Sequence, residues 1–308
     1  MATSNVDRTP RGPSPRSSLT ALTGRAFGAI PPSALVMLGI VSVQVGSASA
    51  KHLFSAVGSF GTVALRLFFA AAVLMLLWRP TLRMNRRTWS VVLSYGVILG
   101  SMNLCFYLAL ARIPLGIAVT IEFLGPLAVA LAGSRRWLDA FWAVLAGAGV
   151  LLLVEGRGDL NLAGFLFALA AGTCWGLYIL VGAALGRHTT EGNGLALGMA
   201  VAALVAVPFG VADSGTALIE PWVLVAGLGV ALLSSVIPYS LDLEALRKIP
   251  PHVFGILMSL EPAMAALIGL IMLQESLLWS QWIAVLCVVA ASAGSTRGAR
   301  PDAKSVAG

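Results

Sequence analysis

The sequence predicts an all-α integral membrane protein with ten transmembrane helices, arranged as two inverted five-helix repeats. Three observations predict it: few charged residues, apolar runs of membrane-spanning length, and a motif that occurs twice at a constant offset. Of the 308 residues, 58% are hydrophobic and 11% are charged, and the mean hydropathy is +0.90. Soluble domains carry about 25% charged residues, so this chain has too little polar surface to cover a water-soluble globule.

Ten apolar runs are long enough to cross a bilayer, which takes about 20 mostly apolar residues of helix. Short connections such as RIPLG at 112–116 require the helices on either side to be antiparallel neighbours. Residues 1–30, rich in Ser, Pro and Arg, are predicted to form a disordered cytoplasmic tail, and residues 297–308 a second cytoplasmic tail. The predicted spans are 33–51, 58–78, 88–111, 115–134, 137–154, 162–186, 192–211, 221–246, 252–274 and 277–296.

The distribution of basic residues predicts the orientation of the chain. If the N-terminus is cytoplasmic, most of the 20 Lys and Arg residues fall in cytoplasmic segments, as is usual for membrane proteins. Both termini are therefore predicted to be cytoplasmic, in a multi-pass protein of the bacterial inner membrane. The net charge of +7 lies in short clusters between spans, which favours the anionic lipid surface over nucleic acid as its partner.

The first apolar run has a second interpretation. An Arg-containing lead, an apolar stretch and SASA at 47–50 together resemble a cleavable signal peptide. The polar lead is long and nine further spans follow, so we expect a retained helix.

A motif recurs in the two halves of the chain. Residues 109–131, ALARIPLGIAVTIEFLGPLAVAL, align without a gap with residues 245–267, ALRKIPPHVFGILMSLEPAMAAL, at an offset of 136. The predicted repeats are 33–154 and 162–296. Five spans is an odd number, so the second repeat must enter the membrane from the opposite side. Inverted repeats are common in secondary transporters, whose binding site lies near the midplane between the repeats.

Two acids inside the apolar runs are the main candidate site residues. Glu122 and Glu261 lie in spans that enter from opposite sides, and both approach the midplane. An acid at a helix centre costs about 2.5–3.5 kcal/mol on insertion scales, so each must face the bundle interior or a hydrated cavity. We expect these carboxylates to bind a cargo ammonium group or carry a coupling proton. A structural acid paired with Arg66 is the alternative, and Arg66 is also a candidate to hold a cargo carboxylate.

Prolines and further polar residues complete the predicted site. Pro126 and Pro262 each free a backbone carbonyl one turn earlier, which predicts a helix kink beside the cargo path in each half, with a remote packing kink as the alternative. Other mid-span side chains would add hydrogen-bonding groups to a mostly apolar pocket, although a contact between helices is the commoner role of each such residue. These residues are Gln44, Asn103, Tyr107, Trp175, Tyr178 and Tyr239.

Several stretches resemble a known family. GSASAKHLF, MNLCFYLALARIPLGIAVTIEFLGPLAVAL, CWGLYIL, IPYSLDLEAL and FGILMSLEPAMAALIGL together resemble the threonine/homoserine exporter branch of the EamA group, in the drug/metabolite transporter superfamily. The resemblance covers about residues 33–296. It implies ten helices in two repeats, and export of threonine, homoserine and related amino acids in exchange for protons. A metabolite or drug exporter of broader specificity in the same superfamily is the alternative.

Other classes of function lack their sequence signatures. A lipid-modifying enzyme needs a catalytic cluster at headgroup level, and ATP-driven transport needs a GxxxxGK[ST] loop; the sequence has neither. The three cysteines and three histidines are scattered without zinc-site spacing. We therefore expect no enzyme activity, no metal and no cofactor, and the oligomeric state remains open.

Overall fold

The computed structural model describes residues 30–132, 137–155, 161–189, 192–246 and 248–298. Every regular element in these ranges is helical, and eight helices are long and apolar enough to cross a membrane. The predicted helical membrane class is therefore confirmed. The predicted tails lie almost wholly outside the described residues. The α-helices are α1 (Pro32–Trp78), α2 (Arg86–Leu110), α3 (Leu115–Glu122), α4 (Leu124–Ala132), α5 (Trp137–Glu155), α6 (Leu162–His188), α7 (Asn193–Ser214), α8 (Pro221–Ala231), α9 (Ile237–Leu246), α10 (Pro251–Met258), α11 (Glu261–Leu273) and α12 (Trp279–Gly298).

The first helix, α1, covers both of the first two predicted spans, 33–51 and 58–78. It has 47 residues, which corresponds to about 70 Å of helix, more than twice the thickness of a hydrocarbon core. It bends at Val57 and at Gly58, whose φ of +60° lies in the left-handed region that glycine adopts without strain. The Ser214 hydroxyl of α7 donates to the Val57 carbonyl (2.6 Å), which satisfies a group that the bend exposes.

Asparagine residues cap the N-termini of two of the long helices. The Asn85 side chain accepts a hydrogen bond from the Thr88 N–H (2.7 Å) at the start of α2. Asn161 does the same with the Gly164 N–H (2.9 Å) at the start of α6. Each bond satisfies one of the N–H groups that a helix start leaves without an internal partner.

Two helix interruptions occur at equivalent places in the repeated motif. The helix breaks at Phe123, between α3 and α4, and at 259–260, between α10 and α11. The offset of 136 relates these positions, and the next proline follows at Pro126 and Pro262 respectively. Each proline lacks the N–H that would bond the carbonyl four residues earlier. A helix interruption therefore precedes each proline, and its place beside a cargo path stays a prediction.

A third irregularity lies between α8 and α9, where Leu232–Val236 forms a π-helical turn. Pro238 follows it and has no N–H for the carbonyl of Ser234, four residues earlier. Such turns widen the helix locally and often mark functional sites. Pro238 is not among the prolines that the sequence pattern singles out.

The outer surface of the bundle is apolar. Leu76, Val144 and Leu204 are 72%, 71% and 73% exposed, on three different helices. The largest buried cluster joins α1, α2, α3, α6 and α7 around residues such as Leu67, Tyr107 and Met199. Apolar side chains on both the inside and the outside are expected of a protein whose solvent is lipid.

Candidate functional site

Glu122 lies at the interruption between α3 and α4. It is the last residue of α3 and is 7% exposed. Its main chain packs against Gly172 of α6, where a Cβ would lie 2.6 Å from the Glu122 carbonyl oxygen. Pro126 leaves that carbonyl without its helical donor. Among the described residues, no group forms a hydrogen bond or ion pair with the Glu122 carboxylate.

Glu261 lies at the matching interruption and is the first residue of α11. It is 7% exposed, and its Oε1 accepts a hydrogen bond from Gln44 Nε2 of α1 (3.1 Å). Glu261 Oε2 and Gln44 Oε1 are buried, and neither has a hydrogen-bond partner within the described ranges. Glu261 is therefore held by one bond while acceptor positions beside it remain unfilled.

Arg66 of α1 binds the π-helical turn. Its Nη2 donates to the Ser234 carbonyl (3.1 Å), the group left without a donor by Pro238, and its Nε lies 3.4 Å from the Ser235 hydroxyl. Its Nη1 donates to the Tyr107 hydroxyl (3.3 Å), and the guanidinium lies 5.5 Å from the centre of the Tyr107 ring. In the described part of the chain, Arg66 forms no ion pair with either glutamate.

Three of the remaining predicted residues, Tyr107, Trp175 and Asn103, occupy three different kinds of position. Tyr107 is fully buried under Arg66, and Trp175 of α6 packs edge-on against Phe123 at the α3–α4 interruption, with ring centres 5.3 Å apart. Asn103 donates to the Leu99 carbonyl of its own helix (2.8 Å) and bonds neither acid in the residues described.

The two remaining tyrosines belong to a row of phenol groups. The rings of Tyr95 and Tyr178 are 4.9 Å apart, and Tyr178 also lies beside Tyr239 of α9. Tyr95 and Tyr178 line a cavity of about 480 Å³, formed where α2 meets the end of α6 and the start of α7. Tyr178 and Tyr239 are among the residues predicted from sequence, and Tyr95 is not.

Three carboxylates and Arg66 form one electrostatic group. Glu261 interacts with Glu122 and with Asp242 of α9, and Glu122 interacts with Arg66. Asp242 was missed as a candidate because it lies near the end of its predicted span. The burial of its Oδ1 atom was not evident from sequence alone, because it depends on the contact with Gly39 of α1.

A second polar cluster was also missed. Glu275, after α11, forms an ion pair with Lys51 of α1, and its Oε2 accepts the N–H of Leu115 at the start of α3 (2.7 Å). Lys51 also donates to the Ile113 carbonyl (3.3 Å). A carboxylate is favourable at a helix N-terminus, so Glu275 joins three segments that are distant in sequence. The only sequence signal was QES in a short connection.

Among the residues that the structure describes, no three or more His, Cys, Asp or Glu side chains form a group able to hold a metal ion. The interior is thus a mostly apolar bundle with carboxylates, one arginine and phenol groups at its centre. Ionisable side chains inside a membrane span mark paths for ions or polar solutes. Fold and site together define a multi-pass membrane protein with polar and ionisable side chains in its interior.

Comparison with known proteins identifies the family. The model of the EamA-like transporter family matches residues 162–297. The chain is 43% identical over 277 residues to the threonine/homoserine exporter RhtA of Escherichia coli (strain K12), which covers 89% of this chain and 94% of that protein. It is 42% identical over 281 residues to the threonine/homoserine exporter RhtA of Salmonella typhimurium (strain LT2), with coverages of 89% and 95%.

Two more distant matches agree. The chain is 25% identical over 240 residues to the uncharacterized transporter YwfM of Bacillus subtilis (strain 168), with coverages of 74% and 80%. A solved crystal structure with 22% identity covers 87% of this chain and 98% of its own, with a TM-score of 0.57, and supports the fold alone. The chain belongs to the EamA-like transporter family, in its threonine/homoserine exporter branch. The resemblance found from sequence is confirmed, and the chain is a multi-pass membrane transporter rather than an enzyme.

Proposed function

We propose that this protein is a secondary active exporter of small amino acids, threonine and homoserine above all, that moves them out of the cytoplasm in exchange for protons. The observation that carries the proposal is 43% identity to a protein named for threonine/homoserine export, across 94% of its length. The transport cycle is alternating access around a site near the membrane midplane. The membrane is the bacterial inner membrane, with both termini in the cytoplasm.

The proposed architecture has ten crossings in two inverted repeats, residues 33–154 and 162–296. Counting α1 as two crossings on either side of its bend, and adding the 19 residues of α5, extends the eight apolar helices to ten. The paired helix interruptions, at positions related by the offset of 136, support the repeat. The family match over 162–297 is consistent with a unit of this size.

Glu122 and Glu261 are the proposed coupling residues. A carboxylate without a partner in an apolar interior is unfavourable, and it is stabilised by a proton or by a cation. A proton and the ammonium group of the cargo therefore compete for the same oxygens. If one leaves when the other binds, outward movement of the amino acid is exchanged for inward movement of protons.

Arg66 is the proposed partner of the cargo carboxylate. Its guanidinium has five N–H donors, and the described contacts use three of them, to Ser234, Ser235 and Tyr107. Two donors remain for a ligand. The other proposed binding residues are Gln44, Asn103, Tyr107, Trp175, Tyr178 and Tyr239.

The direct test is to overexpress the chain in bacteria and to profile the small molecules that accumulate in the medium. Threonine and homoserine are expected to rise above the level in cells with an empty vector. A profile dominated by unrelated metabolites, with no rise in either amino acid, would contradict the amino-acid assignment and favour the broader exporter.

A further inference from the structure

Asp242 of α9 is a partly buried acid that the proposed coupling does not use. Its Oδ1 is buried and accepts no hydrogen bond from any residue in the described ranges. It faces α1 at Gly39, where a Cβ would lie only 3.0 Å from Oδ1. The missing side chain at position 39 leaves the room in which this oxygen lies.

A row of phenol groups leads from a cavity to Asp242. Tyr239 precedes Asp242 by three residues on α9, so the two side chains lie on one face of the helix. Tyr178 lies beside Tyr239 and stacks obliquely on Tyr95, and these last two line the cavity of about 480 Å³. Tyr178 and Tyr239 both interact electrostatically with Asp242. The polar groups thus extend from the cavity into the bundle.

The row continues from Asp242 toward Glu261. The two acids interact electrostatically, and Glu261 is bonded to Gln44. Gln44 is 1% exposed, yet its Oε1 and the Oε2 of Glu261 lack partners in the described chain. Gly39 and Gln44 are five residues apart on α1, about 7.5 Å along the helix, so these acceptors form two successive groups.

The chemistry of the unfilled positions specifies the ligand. Four buried side-chain atoms of the described residues have no hydrogen-bond partner, and three of them are oxygens of Asp242, Gln44 and Glu261. A buried oxygen acceptor without a hydrogen bond is unfavourable, so each of these oxygens favours a ligand that donates one. A primary ammonium group carries three N–H donors and no acceptor, and its positive charge offsets the cost of burying two carboxylates.

We propose that Asp242 is the first of two binding positions for the primary ammonium group of the cargo, ahead of the Gln44–Glu261 pair, on the side where the tyrosine-lined cavity opens. This inference rests on the proposed function and adds the route to it. The amino acid enters the cavity between α2, α6 and α7 and passes the phenol groups. Its ammonium group binds Asp242 and then transfers to Glu261.

The test measures threonine uptake into inverted membrane vesicles, whose cytoplasmic face is outward. Asp242→Asn keeps the size of the side chain and removes its charge. It is expected to raise the half-saturating threonine concentration about tenfold or more, because a hydrogen bond to a charged group is lost. It is expected to weaken inhibition by threonine methyl ester, which keeps the ammonium group but has no free carboxylate, by a similar factor. The matched control is Asp213→Asn, at an exposed acid on α7.

An unchanged half-saturating concentration in Asp242→Asn, or a lower maximal rate alone, would overturn the inference. A second measurement uses Ile179→Cys, in the lining of the cavity, in a chain whose three native cysteines are replaced by serine. Threonine methyl ester is expected to slow modification of the introduced thiol by a water-soluble thiosulfonate, and adding Asp242→Asn is expected to remove that protection. Absence of protection when Asp242 is intact, or equal protection with Asp242→Asn, also contradicts the inference. If the wild-type chain takes up no threonine but the ester still protects the thiol, the amine site stands and the cargo assignment fails.

Discussion

At the scale of single residues, the two buried glutamates differ in their surroundings. Glu261 accepts a bond from Gln44, whereas Glu122 has no hydrogen-bond partner among the described residues. Both lie at helix interruptions rather than within regular helix.

The first prediction concerns these acids. Glu122→Gln and Glu261→Gln preserve size but cannot exchange a proton, so each is expected to reduce proton-driven threonine efflux from loaded proteoliposomes by at least tenfold. The amount of inserted protein should not change. Full wild-type efflux in both variants would contradict a coupling role for either residue.

The second prediction concerns Arg66. Its three contacts need a planar group with several donors, which lysine cannot reproduce. Arg66→Lys is expected to destabilise the protein by about 1–3 kcal/mol, seen as a lower unfolding temperature in detergent. Arg83→Lys, at an exposed position, is the control and should have no effect. Equal unfolding temperatures for the two variants would show that Arg66 does not stabilise the π-helical turn.

At the scale of helices, the prolines and glycines act together. Pro126 opens the helix at Glu122, and the opened backbone then packs against α6 at Gly172. A π-helical turn likewise precedes Pro238, which also lacks the N–H for the carbonyl four residues earlier. In both places a carbonyl that lost its helical donor lies at a contact between helices.

The third prediction tests this contact. Gly172→Ala places a methyl group 2.6 Å from the Glu122 carbonyl oxygen, so it is expected to cost about 1–3 kcal/mol of stability through overpacking and to impair transport. Gly147→Ala on α5 meets nothing within 4 Å and should be neutral or slightly stabilising. Thermal unfolding and efflux of the two variants provide the comparison, and equal behaviour would contradict the close packing.

Sequence alone predicted those elements that depend on local patterns. The apolar runs predicted a helical membrane protein, and a helix interruption lies within four residues before each of Pro126 and Pro262. Contacts between segments that are distant in the sequence could not be predicted from it. Gln44 and Glu261 are 217 residues apart, and the partner of Glu275 lies 224 residues away. Asp242 was missed because it lies near the end of its predicted span, and its packing against Gly39 is not visible in the sequence.

At the scale of the molecule, the two halves of the chain meet at the candidate site. The first half supplies Gln44, Arg66 and Glu122, and the second half supplies Asp242 and Glu261. Lys51 and Glu275 join the two halves through an ion pair. Separately, a tyrosine-lined cavity lies between α2, α6 and α7. A site shared by two halves is what exchange by rocking of one repeat against the other requires.

The most direct measurement determines whether the two repeats are inverted. Arg112→Cys and Lys248→Cys, at positions related by the offset of 136, are each introduced into a chain without its native cysteines and treated with a membrane-impermeant thiol reagent in intact cells. The expected result is labelling at 112 from outside, and labelling at 248 only after the membrane is opened. Labelling of both positions from one face would contradict the inverted repeat and the shared central site.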